Sequence, residues 1–208
     1  IESNEQNENT NSIGFYATGS ALEGTYNVTY MKVGYFPQTV SVNLTQGNIT
    51  IQDIQLVPIE QFGVTINVID VSGNPITDAQ ISLTHPLIDY NGITNGIGEE
   101  SFSLFYQENY ELIVGKWGYY TQCVEQVINP ATGVITVYMM PGYYDDFTFD
   151  FGWTVSGNAE TGEWERGVPN PTTNTVMGMD TDLDCGSMAY VTGNRDNVDP
   201  DYDDVDNG

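Results

Sequence analysis

Three aspartates at alternate positions form the clearest pattern with possible chemistry in this sequence. Asp180, Asp182 and Asp184 are followed by six more aspartates before the end of the sequence. Calcium takes six to eight oxygen ligands from clustered carboxylates and loop carbonyls. The first run is not an EF-hand, because its glycine and distal glutamate are out of register. We predict a calcium site built first from those three residues and second from Asp204 and Asp206, with a solvated acidic loop as the alternative.

Aromatic residues are the second candidates for binding. Six of them could form a platform for a sugar: Tyr119, Tyr120, Tyr143, Tyr144, Trp153 and Trp164. Aromatic residues at strand spacing more often belong to a core. Tyr143 and Tyr144 lie between a glycine and two aspartates, so we predict that this pair is exposed and binds a ligand. The expected ligand is a neutral glycan, because the net charge of −25 would repel acidic polysaccharides.

Catalytic residues are not evident. A zinc peptidase needs histidine and glutamate ligands at set spacing, and His85 is the single histidine of the chain. A serine or cysteine nucleophile would need that same residue as its base. Carboxylates are abundant, but nothing in the sequence distinguishes one pair as an acid and a base. We therefore predict that this chain is not an enzyme and that His85 is a loop histidine.

The charge balance restricts the partners. The sequence has 29 acidic residues against four lysines and arginines. Nucleic-acid binding requires a basic surface, so we do not expect this chain to bind nucleic acid. No apolar run reaches the roughly 20 residues of a membrane span. Cys123 and Cys185, the only cysteines, could be a disulfide pair or two buried thiols.

The elements that must position these residues begin with an internal repeat. Residues 26–58 and 110–141 share a pattern in which Tyr26 aligns with Tyr110, and the closing prolines match after a one-residue slip. In the first copy, alternating apolar residues predict strands at Tyr26–Tyr30, at Val40–Leu44 and from Ile49 to Leu56. The second copy is preceded by two further strands. We therefore expect the first copy to be the C-terminal part of a module whose opening strands lie upstream of Ile1.

The second unit opens near Gln61. Six or seven short strands are predicted from alternating apolar residues, with a turn at Asp70–Pro75 and a long loop at Asp89–Glu100. No helical stripe occurs. Short strands separated by turns indicate an antiparallel β-sandwich. The fold class predicted is therefore all-β, with tandem prealbumin-like or immunoglobulin-like sandwiches at residues 1–60 and 61–142.

A third segment covers residues 143–208. Phe147, Phe149 and Phe151 alternate with polar residues, which predicts a strand. About sixty residues with so few strands cannot close a sandwich of their own. We expect this segment to be the N-terminal part of a jelly roll, truncated at its C-terminal end.

The repeats resemble a known family. Gly24-Thr25-Tyr26 with Val28, followed by Gly34-Tyr35, is similar to the carboxypeptidase regulatory-like domain, a prealbumin-like sandwich. In the second copy, Asp70–Ile76 and Ala79-x-Ile81 resemble the first hairpin of that family. Glu108-Asn109 departs from it, because the family prefers a Pro-Gly or similar turn there.

The third segment carries a second resemblance. Phe149–Pro169, Tyr190–Asn194 and Asp203–Gly208 are similar to the start of a jelly-roll module that follows such domains in secreted bacterial zinc carboxypeptidases and related peptidases. Adhesin modules of secreted cysteine peptidases begin in a comparable way. The resemblance implies a secreted, non-catalytic accessory region that spaces, stabilises or presents a neighbouring domain of the same precursor. The alternatives are an adhesin or carbohydrate-binding module, and a structural surface protein without a peptidase partner.

Overall fold

The computed structural model describes residues 7–158, 162–170 and 184–194. Within these ranges the chain is all-β, as predicted, with thirteen strands and no helix. Accordingly, no helix in the described part is long and apolar enough to cross a membrane. The chain divides into two compact units, Ile1–Glu60 and Gln61–Gly208.

The first unit contains four strands in its described residues. They are β1 (Gly24–Tyr30), β2 (Tyr35–Phe36), β3 (Gln38–Leu44) and β4 (Val57–Pro58). Strand β1 pairs antiparallel with β3, and β2 pairs antiparallel with β4. Tyr26, Val28 and Tyr30 share the inner face of β1 but remain only half-buried.

The second unit contains the other nine described strands. They are β5 (Phe62–Asp70), β6 (Gln80–Thr84), β7 (Tyr90–Ile93), β8 (Glu99–Leu104), β9 (Asn109–Gly115), β10 (Gln122–Val127), β11 (Val134–Met139), β12 (Trp164–Gly167) and β13 (Ala189–Thr192). One sheet has the order β10-β9-β6-β7, and the other has the order β11-β5-β8. Between them lies a core of alternating residues from both sheets, including Val64, Ile81, Leu104, Tyr110 and Met139. Strands β12 and β13 form a separate antiparallel pair.

The repeat seen in the sequence is also a structural repeat. Tyr30 pairs with Gln38 in the first copy, and Val114 pairs with Gln122 at the aligned positions of the second. The turns also match, because the Tyr35 amide donates to the Lys32 carbonyl and the Tyr119 amide to the Lys116 carbonyl, both at 3.0 Å. Pro58 pairs with Tyr35 as Pro141 pairs with Tyr119. Each copy is therefore the same hairpin, closed by the same returning segment.

The returning segment differs between the copies, and here a predicted strand is absent. Ile49 and Ile51 were expected in a strand but are 93% and 82% exposed, outside any ladder. The corresponding β11 in the second copy is a strand because it pairs in parallel with β5. No described strand of the first unit takes the place of β5, so the backbone of this segment has no partner strand.

Two other local predictions were wrong. Part of the loop predicted at residues 89–100 is strand β7, which pairs antiparallel with β6, and Tyr90 packs against the core. The strand predicted through Phe147 and Phe149 is irregular. Phe147 has a φ of 56°, and the carboxylates of Asp145 and Asp146 accept hydrogen bonds from backbone amides two residues further on. Such local bonds compete with a strand ladder.

Candidate functional site

The third segment is attached covalently to the second sandwich. Cys123 of β10 forms a disulfide with Cys185, with their Cα atoms 5.7 Å apart and a sequence separation of 62. The chain-entropy model gives about 4 kcal/mol of stabilisation for a loop of this length. Disulfides persist in oxidising environments, so the bond is compatible with an extracellular protein. It also resolves the open question of whether the two cysteines pair.

A small apolar cluster forms beside the disulfide. Phe149 and Cys185 are buried against Ile113, with Phe151 packed at the edge. Ile113 lies on the opposite face of β9 from Leu112 and Val114, so β9 is covered on both faces. Gly115 makes this packing possible, because a Cβ atom there would overlap the ring of Phe149. The third segment thus lies directly on the outer face of the sheet.

An aromatic groove opens on the third segment. Its volume is about 380 Å³, within the range of ~300–1,000 Å³ typical of ligand sites. The lining side chains are uncharged and mostly aromatic: Phe147, Trp153, Thr154, Val155, Ser156, Trp164 and Tyr190. Trp153 and Trp164 are each 52% exposed. We name this feature the aromatic groove.

Hydrogen bonds fix the position of Trp153 in the groove. Its indole Nε1 donates to the Asp145 carboxylate at 2.6 Å, and its carbonyl accepts a hydrogen bond from the Tyr190 hydroxyl at 3.2 Å. The indole also meets Trp117 edge to face, with centroids 5.6 Å apart. A half-exposed ring held at several points keeps its orientation in the absence of a ligand.

Arg166 of β12 stabilises the other side of the groove. Its guanidinium donates to the carbonyls of Phe147 and Thr148 at 2.7 and 2.8 Å. Arg166 pairs across the strands with Tyr190, whose ring lies 5.1 Å from that of Phe147 in an edge-to-face contact. The guanidinium therefore stabilises the walls of the groove from behind and is not among its lining side chains.

The structure brings together two residues that were predicted for different roles. Tyr144, predicted as a ligand-binding residue, donates its hydroxyl to the carboxylate of Asp184 at 2.8 Å, and Asp184 was predicted as a calcium ligand. Tyr143 is 85% exposed and its ring lies 6.0 Å from that of Trp117. Asp180, Asp182, Asp204 and Asp206 lie outside the described residues. Within the described ranges no three histidine, cysteine or acidic side chains come together as a metal site would require.

His85 is part of the sandwich. It is 4% exposed and stacked on Tyr106, with centroids 4.7 Å apart. Its Nδ1 accepts a hydrogen bond from the Leu87 amide, so the neutral ring carries its proton on Nε2, which lies 3.2 Å from the Glu108 carboxylate. Both ring nitrogens therefore contact neighbouring groups, namely the Leu87 amide and the Glu108 carboxylate.

Sequence reasoning missed several residues of the aromatic surface. It named Trp153 and Trp164 as possible platform residues but did not include Trp117, Phe147 or Tyr190. For Trp117 a signal was present, because the repeat aligns it with Val33, so an aromatic residue appears only in the copy that carries the third segment. Phe147 and Tyr190 had no comparable signal, because their proximity depends on the pairing of β12 with β13.

Comparison with known proteins gives little similarity. No family model matches the chain, and no curated protein matches it. Among solved structures, the Bacillus anthracis TIE protein aligns with 58% of this chain and 24% of its own chain, at 13% identity and a TM-score of 0.34. The aligned region is thus about a quarter of the length of that protein.

Proposed function

We propose that this chain is a non-catalytic accessory region of a secreted multidomain protein, in which it spaces and presents a neighbouring domain. The observation that carries this proposal is the attachment of the third segment to the second sandwich. The contacts that make it include the Cys123–Cys185 disulfide, the packing of Phe149 over Gly115, and the contact of Trp117 with Trp153. A presenting region needs fixed geometry between its parts, and these contacts supply it.

Location and partner are supported by separate observations. The disulfide fits an oxidising compartment, and the charge of −25 favours solubility. The resemblance of Gly24–Val28 and Gly34-Tyr35 to regulatory-like domains suggests that the neighbouring domain is a peptidase. The partners in this proposal are the other domains of the same precursor, and a surface protein is the partner if the chain acts as an adhesin.

The burial and contacts of His85 support a chain without catalytic activity. A general base must reach the proton it abstracts, whereas this imidazole is buried and both of its nitrogens contact neighbouring groups. Peptide and ester hydrolysis that uses a histidine base should therefore not occur in this chain. Turnover that disappears in His85→Ala, with the fold retained, would contradict this part of the proposal.

The presenting role is tested by proteolysis of the intact chain. We expect cleavage by an extracellular protease within residues 142–158 to be slow in the wild type and faster in the double variant Cys123→Ser/Cys185→Ser. The matched control is the wild-type chain under reducing conditions, which should behave like the double variant. Equal cutting rates in the wild type and the variant would contradict a fixed attachment.

One alternative function is supported by a separate observation. The aromatic groove favours a carbohydrate-binding role, which is compatible with a presenting role in the same protein. The other alternative is a structural surface protein without a peptidase partner. The sequence of the full precursor would distinguish it from the presenting and carbohydrate-binding roles. A peptidase domain in that precursor would exclude this last alternative.

A further inference from the structure

We propose that the aromatic groove binds a neutral oligosaccharide. This inference rests on the carbohydrate-binding alternative above and deepens it by naming the class of ligand. It does not depend on the presenting role, because a presenting region needs no ligand of its own.

Two tryptophans in one groove are half-exposed and therefore accessible to a ligand. Trp153 and Trp164 each leave about half of their surface in water. Exposing a large indole forgoes the stabilisation that its burial would give. Tryptophan and tyrosine are also the residue types enriched where binding energy is concentrated.

The groove is prepared for a ligand before one arrives. Trp153 is held by Asp145, Tyr190 and Trp117, and Arg166 holds the Phe147 carbonyl. Ordering a free side chain on binding costs conformational entropy, so rings that are already fixed avoid this cost. A site with this construction suits a ligand that stacks on flat faces.

The side chains that line the aromatic groove favour a neutral ligand with both apolar and polar groups. Among the described residues that line the groove, none has a charged side chain, and the chain as a whole carries −25, so acidic glycans and nucleic acids would be repelled. A pyranose ring presents an apolar C–H face that can stack on an indole, and hydroxyls around its edge. Thr154 and Ser156 supply hydroxyls beside Trp153 and Trp164 to pair with that edge.

The aromatic surface extends beyond the groove, which favours a chain of sugars over a single one. The Trp117 ring contacts that of Trp153 and lies 6.0 Å from that of Tyr143. Tyr143 is the most exposed aromatic residue of this group. A sugar chain that leaves the groove on the Trp117 side of Trp153 would contact these further rings.

The experiment is a titration of the whole chain with neutral oligosaccharides, chosen from an array that covers α- and β-linked glucans, mannans, galactans and xylans. Acidic glycans serve as the charged comparison. We expect binding of a neutral chain and a drop in affinity of about tenfold or more in Trp164→Ala, the size expected for a central aromatic residue. Trp164→Tyr should keep most of the affinity, because it preserves an aromatic face.

The control variant is Tyr138→Ala, which removes an exposed aromatic residue of β11 outside the groove and should leave binding unchanged. Melting curves of every variant verify that the fold is retained. Either of two outcomes would overturn the proposal: no neutral glycan binds, or binding is unaffected by Trp164→Ala. Trp153→Ala, which removes the other half-exposed indole of the groove, should lower the affinity in the same way and replaces Trp164→Ala if that variant does not fold.

Discussion

Trp117 and Trp153 meet edge to face, with ring centroids 5.6 Å apart and planes inclined at 86°. Trp117 belongs to the repeat turn of the second sandwich, and Trp153 belongs to the third segment and lines the aromatic groove. Edge-to-face pairs of this kind contribute about 0.5–1.5 kcal/mol beyond the area they bury. The same contact therefore helps to attach the third segment and to orient a wall of the groove.

Gly115→Ala should destabilise the second unit. The new Cβ would overlap the ring of Phe149, and extra atoms forced into a packed site typically cost about 1–3 kcal/mol. Denaturant unfolding of the whole chain measures the change. The matched control is Gly63→Ala on β5, where nothing lies within 4 Å of the added atom. Equal stability of the two variants would mean that Phe149 does not lie over β9.

Tyr110 should make stability depend on pH in the alkaline range. Burial raises the pKa of its hydroxyl to about 12 from the ordinary value near 10. Between these values the folded state binds more protons than the unfolded state, so stability is fully present below pH 10 and falls as the pH rises towards 12.

Tyr110→Phe tests this dependence. At neutral pH the variant should lose about 0.5–1.5 kcal/mol, because the hydrogen bond from the hydroxyl to the Tyr106 carbonyl disappears. Above pH 10 the gap between variant and wild type should narrow, since only the wild type retains this titrating group. Unfolding curves from pH 7 to pH 12 measure it, with Tyr138→Phe on β11 as the exposed control. A constant gap would contradict the assigned burial.

The first unit should exchange its amide protons faster than the second, although the two hairpins have the same register. Tyr110, Leu112 and Val114 are fully buried, whereas Tyr26 and Val28 at equivalent positions are only half-buried. Local opening is easier where fewer apolar contacts protect the backbone. Hydrogen exchange of the whole chain compares β1 and β3 with β9 and β10. Equal protection would show that partial burial does not weaken the first hairpin.

The core of the second sandwich could be predicted from the sequence, because alternation of residues such as Val64, Ile66 and Val68 is local information. The parallel pairing of β5 with β11 could not, since it joins residues about seventy positions apart and no short pattern encodes it. Phe147 and Phe149 alternate like a strand, yet the local hydrogen bonds that the Asp145 and Asp146 carboxylates accept from backbone amides outcompete a ladder.

Only the types of some residues in the candidate site could be predicted from the sequence. Trp153 and Trp164 are recognisable from the sequence as possible platform residues. Their arrangement in one groove depends on the pairing of β12 with β13 and on the hydrogen bonds of Arg166, which are long-range features.

Calcium binding in the third segment stays a prediction. Of the five predicted ligands, Asp184 lies in the described residues, where it accepts a hydrogen bond from Tyr144. A bound ion would stabilise the folded state by mass action, so the melting temperature should rise with calcium and fall with chelator.

The required control for that experiment is sodium chloride at matched ionic strength, because salt alone screens carboxylate repulsion. Asp184→Asn should reduce the response to calcium if this residue is a ligand. Coincident melting curves in calcium, chelator and sodium chloride would mean that the aspartates form a solvated surface only.

The attachment of the third segment to the second sandwich is tested most directly by residual dipolar couplings of the whole chain in a dilute aligned medium. Couplings from β9 and β10 report the orientation of the sandwich, and those from β12 and β13 report the orientation of the third segment. We predict that all four strands fit a single alignment tensor, because the disulfide, Phe149 and Trp153 hold the two parts together. Couplings that require two different tensors, or that are strongly reduced in β12 and β13, would contradict the account.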